Sequence, residues 1–401
     1  MISKEFLQEA KNDETQLIKI RHHLHAHPET GFHLSETKAY VKQTLISMGY
    51  EPTECGKSGL IALVGGKKPG KVFLIRADMD ALPIKEETNL SFSSKNENMH
   101  ACGHDMHTTM LLGAAKLLKK HEHEINGTIK FMFQPAEEIF EGSHDMIEHG
   151  VLHNPDVDAA LMMHVMSGVP IPTGTIITCH GGVSAPAADY FTICIQGKGC
   201  HGSMPNNGID PVTIAAHIIL ALQEIQTREL SIFDEAILTI GTIQGGNAAN
   251  AIPDTVTLSG TIRTYDEKIR HYIKQRVTEI ANGLAASFRA TANVIFGSGC
   301  PTLQNDKELA SCTLTYVREL LGVQNAFSSN EEKASKSSGS EDFAYVSHQV
   351  PSIMLALAAG EPDKGHFYPL HHPKVTFDEN VLSVGSAVYA YTAMRWLEEH
   401  S

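Results

Sequence analysis

Two short stretches hold residue types whose chemistry is easier to explain together than apart. Cys102-Gly103-His104-Asp105 sets a thiol and an imidazole two residues apart, with a glycine between them that lets the backbone pass close to an ion. Cys and His, with carboxylates, are ligands for borderline divalent ions such as zinc, manganese, cobalt or nickel. Glu137-Glu138 places two carboxylates side by side after an apolar run and the turn Gln134-Pro135-Ala136. Adjacent carboxylates are expensive to bury for packing alone. At a metal they divide the work, one as ligand and the other free as a base. Singly, the first stretch also reads as a buried cysteine with an incidental histidine, and the second as a solvated acidic turn. His164 ends an apolar run, and His371-His372 lie in a loop near Pro369 and Pro373.

The elements that must position these groups follow from apolar runs bounded by glycine. Leu60 to Val64, Val72 to Ile75, Ile129 to Phe133 and Ala159 to Met163 read as strands buried on both faces of a sheet. Three of them run out into polar groups: Asp78 and Asp80, Glu137 and Glu138, and His164. Ligands of open α/β sheets bind beyond the carboxyl ends of the strands, so these residues converge on one sheet edge. Helices are predicted from Leu7 to about Arg21, from Ser35 as a cap to Met48 and Gly49, from Thr108 to Glu122, and from Ser143 to His149. Alternating strands and helices imply an α/β layer architecture.

The middle of the chain changes character. Tyr190 to Gln196, Ala236 to Ile243, Thr255 to Thr264 and Ala292 to Phe296 read as strands. Asp210 to Glu229, with Pro211 at its first position, and Asp266 to Ala290 read as helices. This β-α-β-β-α-β order is a split βαβ unit of ferredoxin-like type. It reads as an insert at 186–298 between a catalytic part of 1–185 and 299–401. Ligand-type residues resume after it, at Ser340-Glu341-Asp342 and His371-His372. The Ser/Lys/Glu-rich Ser328 to Ser340 reads as a loop.

Composition bounds the rest. With 401 residues the chain is long enough for two or three domains of about 150 each. A formal net charge of -14 argues against nucleic acid as partner, which needs a basic face. No stretch reaches the ~18 apolar residues of a membrane span. Met1-Ile2-Ser3-Lys4-Glu5 is too polar to open a secretory signal. The seven cysteines form no disulfide framework. Together these point to the cytoplasm.

Further motifs run nearly end to end: Leu24-His25-Ala26-His27-Pro28-Glu29, Arg76-Ala77-Asp78-Met79-Asp80-Ala81-Leu82-Pro83, His100 to Asp105, and Gln134 to Glu138. They continue with Gly199-Cys200-His201-Gly202, Asn250-Ala251-Ile252-Pro253-Asp254, Gly339-Ser340-Glu341-Asp342-Phe343 and Leu370-His371-His372-Pro373. With these the chain resembles the co-catalytic metallohydrolases of the aminoacylase/carboxypeptidase superfamily. The branch is that of hippurate hydrolases, auxin-conjugate amidohydrolases and bacterial N-acyl-amino-acid amidohydrolases. The resemblance implies a zinc-peptidase-like α/β/α catalytic domain with an inserted ferredoxin-like lid or dimerisation domain, and a homodimer. It implies two divalent ions (zinc, manganese or nickel) on Cys102, His104, Glu138, His164 and His371, with Cys102 as the bridge and Glu137 as the base. His201 is implied as the oxyanion donor, reaching the site from a partner subunit or on closure. Asn250 and Arg263 are implied near the substrate, and Asp80 as the residue that orients a ligand. The substrate class is N-acyl amino acids. Dipeptides, N-acetyl-diaminopimelate-like amides and a non-catalytic metal-binding module are the rivals. Two departures stand out: Asp78 occupies the place of a histidine in other branches and has no assigned role, and Cys200 replaces a small residue.

Overall fold

A computed structural model of the chain describes residues 2–329 and 337–401. Its principal strands are β1 (Thr53–Cys55), β2 (Gly59–Gly65), β3 (Val72–Asp78), β4 (Thr128–Gln134), β5 (Ala159–Met166), β6 (Ile176–Thr178), β7 (Ala187–Gln196), β8 (Ala236–Gln244), β9 (Thr255–Thr264), β10 (Thr291–Cys300), β11 (Ala326–Ser328) and β12 (Ser352–Ala358). The principal helices are α1 (Ile2–Asn12), α2 (Glu14–Ala26), α3 (Ser35–Ser47), α4 (His104–Lys120), α5 (Gly142–Glu148), α6 (Pro211–Glu224), α7 (Glu267–Ser287), α8 (Lys307–Leu321), α9 (Ala344–Ser347) and α10 (Val381–Glu399).

The described residues form two compact units, one from 2–184, 304–329 and 342–401, the other from Ala185–Leu303 and Ser337–Glu341. The first is built on an eight-stranded sheet in the order β1-β2-β4-β3-β5-β12-β6-β11. Its centre, β4-β3-β5-β12, is parallel. Every residue of β3 is buried, which is why it reads from Val72 to Ile75 as a continuous apolar run rather than an alternating one. One hydrophobic core joins the sheet to α1, α2, α3, α4, α8 and α10. Asp78 pairs in register with Gln134, so the carboxyl ends of β3 and β4 finish level.

The second unit is an antiparallel sheet in the order β8-β9-β7-β10, with α6 and α7 packed through Ile214, Ile218, Leu222, Ile273 and Val277 onto the inward side chains of the strands. The connectivity β7-α6-β8-β9-α7-β10 with this order is ferredoxin-like. Asp210 caps α6 by accepting the Val212 amide at 2.9 Å, and Asp266 caps α7 through Lys268 and Ile269.

Several local expectations change. The helix expected from Leu7 to Arg21 is two helices, broken at Asp13. Asn12 and Asp13 are weak helix formers, and the Asp13 carboxylate accepts from Lys116 on α4 at 2.6 Å. Ser35 is the first residue of α3 and not its cap. Glu29 takes that part, accepting from the amides of Glu36 and Thr37. The helix expected from Thr108 begins four residues earlier, at His104. Of the stretch expected as a loop, Ser328 ends β11, and 330–336 lie outside the described residues. Among the described residues, no helix is long and apolar enough to cross a membrane.

The Leu24 to Glu29 motif builds a buried charge network. Asp105 accepts from Arg21 Nε at 3.0 Å and pairs with His25 Nδ1 at 2.9 Å, while His25 Nε2 meets Glu86 at 3.2 Å. Burial disfavours the Glu86 charge, but His25, the Thr88 hydroxyl and the Ser94 amide outweigh it and hold Glu86 at about 2. A carboxyl whose folded pKa is depressed adds stability above its unfolded value of 4.5 and loses it as pH falls toward 2. The melting temperature is therefore expected to drop across that window. Glu86→Gln should flatten part of the drop, and an unchanged slope in that variant would contradict the pairing.

Candidate metal centre

The site begins at the carboxyl ends of β3, β4 and β5. Beyond β4 the chain turns through Ala136, held at φ 55, which directs Glu137 and Glu138. Asp80, two residues past β3, fixes this turn: its two carboxylate oxygens accept the backbone amides of Glu137 at 3.0 Å and Glu138 at 3.2 Å. Its backbone carbonyl accepts the Nδ1 proton of His104 at 2.8 Å, which leaves His104 Nε2 as the lone-pair nitrogen. Gly103 precedes α4 at φ 88, and a Cβ there would lie 2.4 Å from Val165 Cγ2, so only glycine lets Cys102 and His104 approach β5.

Around Cys102 the remaining groups converge. Its Sγ lies 3.4 Å from His164 Nε2 and 3.2 Å from His371 Nε2. His164 donates Nδ1–H to the Val165 carbonyl at 2.8 Å, again leaving Nε2 as the ligand-type atom. His371 adopts φ 64, with its amide tied to the Ala101 carbonyl at 2.9 Å. Such a conformation is unusual for a side chain other than glycine and is held where the surroundings demand it. Glu138 Oε2 is 3.7 Å from His371 Nε2, and Glu138 Oε1 is 3.8 Å from His104 Nε2. Glu137 Oε2 is 3.9 Å from His104 Nε2. Ligand atoms within 4.8 Å of one another form two triads that share the thiol, Cys102–His104–His164 and Cys102–Glu138–His371.

The electrostatics are those of ligands gathered without a counter-charge. Burial, then the charge of Glu138, pushes the Cys102 thiol well up. Burial raises Glu138 to about 7, opposed by His104 and reinforced by Asp80 and Asp78. Burial, with His107 and His104 nearby, brings His164 down to about 3 and keeps it neutral. Burial also works against a charge on His104, but Asp78 and Cys102 outweigh it and raise its pKa, so without an ion Nε2 holds a proton that a bound ion would displace. His104 Nε2 and Glu138 Oε1 are buried without a hydrogen-bond partner. A buried polar atom left without a partner is costly, and here a thiol, three imidazoles and a carboxylate that suit a borderline divalent cation surround the two. The donor set therefore fits two metal ions.

Of the residues expected at the site, Cys102, His104, Glu137, Glu138, His164 and His371 come together, with Asp80 behind the glutamates. His372 does not join them: its ring stacks on Tyr368 at 4.2 Å. In the second unit, the pairing of Cys200–His201 with Ala251–Ile252 brings His201 beside Asn250, whose carbonyl accepts the Gly202 amide at 2.7 Å. His201 is exposed, and its Nδ1 accepts the Ser203 amide at 3.2 Å. Cys200 is half-buried in this bridge, with its Sγ against Gly208. Arg263 lies further along β9, its Nη2 3.3 Å from the Tyr190 hydroxyl. Arg76, Asp78, His107, Gln134 and Asp342, to which spacing alone assigns no role, are all fully buried. A signal was there: Arg76 and Asp78 share one strand face, and His104 and His107 one helix face.

Comparison with known proteins agrees with this geometry. The description of peptidase family M20/M25/M40 matches residues 74–395. An N-acetyl-L-cysteine deacetylase of Bacillus subtilis is 39% identical over 390 residues, covering 96% of this chain and 89% of that protein. An IAA-amino acid hydrolase of Arabidopsis thaliana is 36% identical, covering 99% and 89%. The crystal structure of a dinuclear metal-binding peptidase of the M20 family from Bacillus subtilis superposes with a TM-score of 0.79 at 35% identity, covering 97% of this chain and 99% of that one.

Proposed function

Because the chain belongs to peptidase family M20/M25/M40, we propose that it hydrolyses the amide bond of N-acyl-L-amino acids at a centre of two divalent metal ions. The observation that carries the reading is the thiol of Cys102, common to the triads with His104 and His164 and with Glu138 and His371, while Glu137 stands beside them in neither. Relatives named as N-acetylcysteine deacetylases and as an IAA-amino acid hydrolase support the substrate class.

These five residues would hold the ions. When bound, divalent ions supply Lewis acidity, lowering the pKa of water and polarising the scissile carbonyl. Glu137 accepts the proton of the attacking water and later delivers it to the departing amine. Asp80 keeps both glutamates in place through their amides. His201 receives the Ser203 amide on Nδ1, so its proton sits on Nε2, the tautomer able to donate to a developing oxyanion. Asn250 and Arg263 are assigned to the polar ends of the substrate, the Arg263 fork suiting a carboxylate.

A homodimer is part of the proposal. The outer edge of β8 carries no strand partner among the described residues, and Ile237 and Ile243 on it are more than half exposed. Sedimentation of the chain as a monomer would remove this part. Seven free cysteines support a cytoplasmic setting, which recovery of the protein from a secreted fraction would contradict.

The test is a panel of N-acetyl, N-benzoyl and longer N-acyl amino acids, with dipeptides beside them, offered to metal-loaded protein. Release of free amino acid from acyl amino acids, abolished by chelation, is expected. Turnover of dipeptides alone would move the activity to the dipeptidase reading, and no turnover of any amide would overturn it.

A further inference from the structure

Asp78 and His107 are buried beside the centre, yet neither belongs to the two triads that share Cys102. Asp78 Oδ2 accepts from Arg76 Nη1 at 2.7 Å, and its Oδ1 accepts from His107 Nδ1 at 2.6 Å. On the far side of the imidazole, His107 Nε2 accepts the backbone amide of Val165 at 2.9 Å. That bond fixes the ring proton on Nδ1 and engages both nitrogens, so His107 has no lone pair left for an ion.

The place of this bond is informative. β3 pairs with β5 only from Phe73–Ala159 to Arg76–Met162. Further along, the two strands no longer pair, and His107 takes the Val165 amide there. Val165 directly follows His164. The His107 ring also lies beside both imidazoles of one triad, with centroids 4.6 Å from His164 at 69° and 5.4 Å from His104. Asp78 is anchored in turn: the Arg76 guanidinium that holds it reaches Gln134 Oε1 at 2.7 Å and Asp342 Oδ1 at 3.1 Å. Asp342 also accepts Gln134 Nε2 at 2.6 Å and the Ser143 amide at 2.9 Å.

We propose that Asp78 and His107 are positioning residues that set the end of β5, and with it His164, for the subsite Cys102–His104–His164. This rests on the assignment of that triad as a metal subsite. The other subsite does not use this link: Asp80 fixes the Glu138 amide and Ala101 the His371 amide. Loss of the Asp78–His107 link should therefore weaken one ion and spare the other. Partners that orient metal ligands typically contribute about 10–100-fold in metal affinity.

The test is a calorimetric titration of cobalt into metal-free protein, followed also by the cobalt visible spectrum, for wild type, Asp78→Asn, His107→Asn and His107→Gln. Asn at 78 would turn an amide group toward the Arg76 donors or toward His107. Asn at 107 keeps a donor near Nδ1 but loses the acceptor for Val165, whereas Gln places its Oε1 near the position of Nε2. Wild type should bind two cobalt ions. Asp78→Asn and His107→Asn should keep one ion at wild-type affinity and bind the other about 10–100-fold more weakly, with His107→Gln closer to wild type than His107→Asn. Equal weakening of both ions, or no weakening, would overturn the proposal. So would loss of cooperative melting in all three variants, because the pair would then serve the whole fold. Cobalt binding is read without substrate, so a wild type that binds two ions but cleaves no amide removes the proposed function and leaves this result standing.

Discussion

Glu137→Gln is expected to lower kcat by about 10²–10⁴-fold, the usual contribution of a positioned general base, while the protein keeps two bound metal ions. The two halves of this expectation come from different atoms. Glu137 is set by its backbone amide, which donates to Asp80, and that bond does not depend on the side chain. Gln has nearly the same shape and can fill the same space. What it lacks is a carboxylate able to take a proton from water and return it to the amine. The two triads that share Cys102 are complete without Glu137, although its carboxylate also groups with His104 and Glu138, so metal content is expected to be unchanged. Full turnover by the variant, or loss of metal with loss of turnover, would show that Glu137 is not the base.

The second large effect is expected at Cys102. Its Sγ is the one atom common to the groups containing His164 and His371. Cys102→Ala should therefore weaken both ions together, unlike the selective loss expected at Asp78 and His107. The drop should exceed the ~10–100-fold that follows loss of an orienting partner, because a ligand itself is removed. Binding should also release fewer protons in the variant. Burial and Glu138 keep the thiol protonated in the metal-free protein, and an ion must displace that proton to gain the thiolate. Elemental analysis after gel filtration, with the proton count from titrations in buffers of different ionisation enthalpy, reads both effects. Two tightly held ions in Cys102→Ala would contradict the shared thiol.

What depends on local pattern is legible in the sequence. β3 and β5 appear as apolar runs because both of their faces are covered, and β4 does so apart from Lys130, whose buried ammonium donates to backbone carbonyls. The polar residues at their ends are the ones that meet at the centre. Residues held by long-range bonds were harder to read. Asp78 had no assigned role because its partners, His107, Arg76 and the neighbourhood of Asp342, are assembled by the sheet rather than by spacing. The break at Asp13 depends on Lys116, more than a hundred residues away. The cap of α3 is Glu29, outside the helix and ahead of the serine that carries the expected signature. Within the second unit, Asn250 lies beside His201 because a two-residue bridge joins their segments, whereas Arg263 keeps company with Tyr190.

Everything proposed for the reaction turns on one thiolate serving two ions. The most direct measurement is an anomalous difference map, collected at the zinc edge, from crystals of the zinc-loaded protein. Two peaks should appear, one near His104 and His164 and the other near Glu138 and His371. Each should lie about 2.3 Å from Cys102 Sγ, the usual zinc–sulfur distance. A single peak, or two peaks of which only one contacts Cys102, would contradict the shared centre.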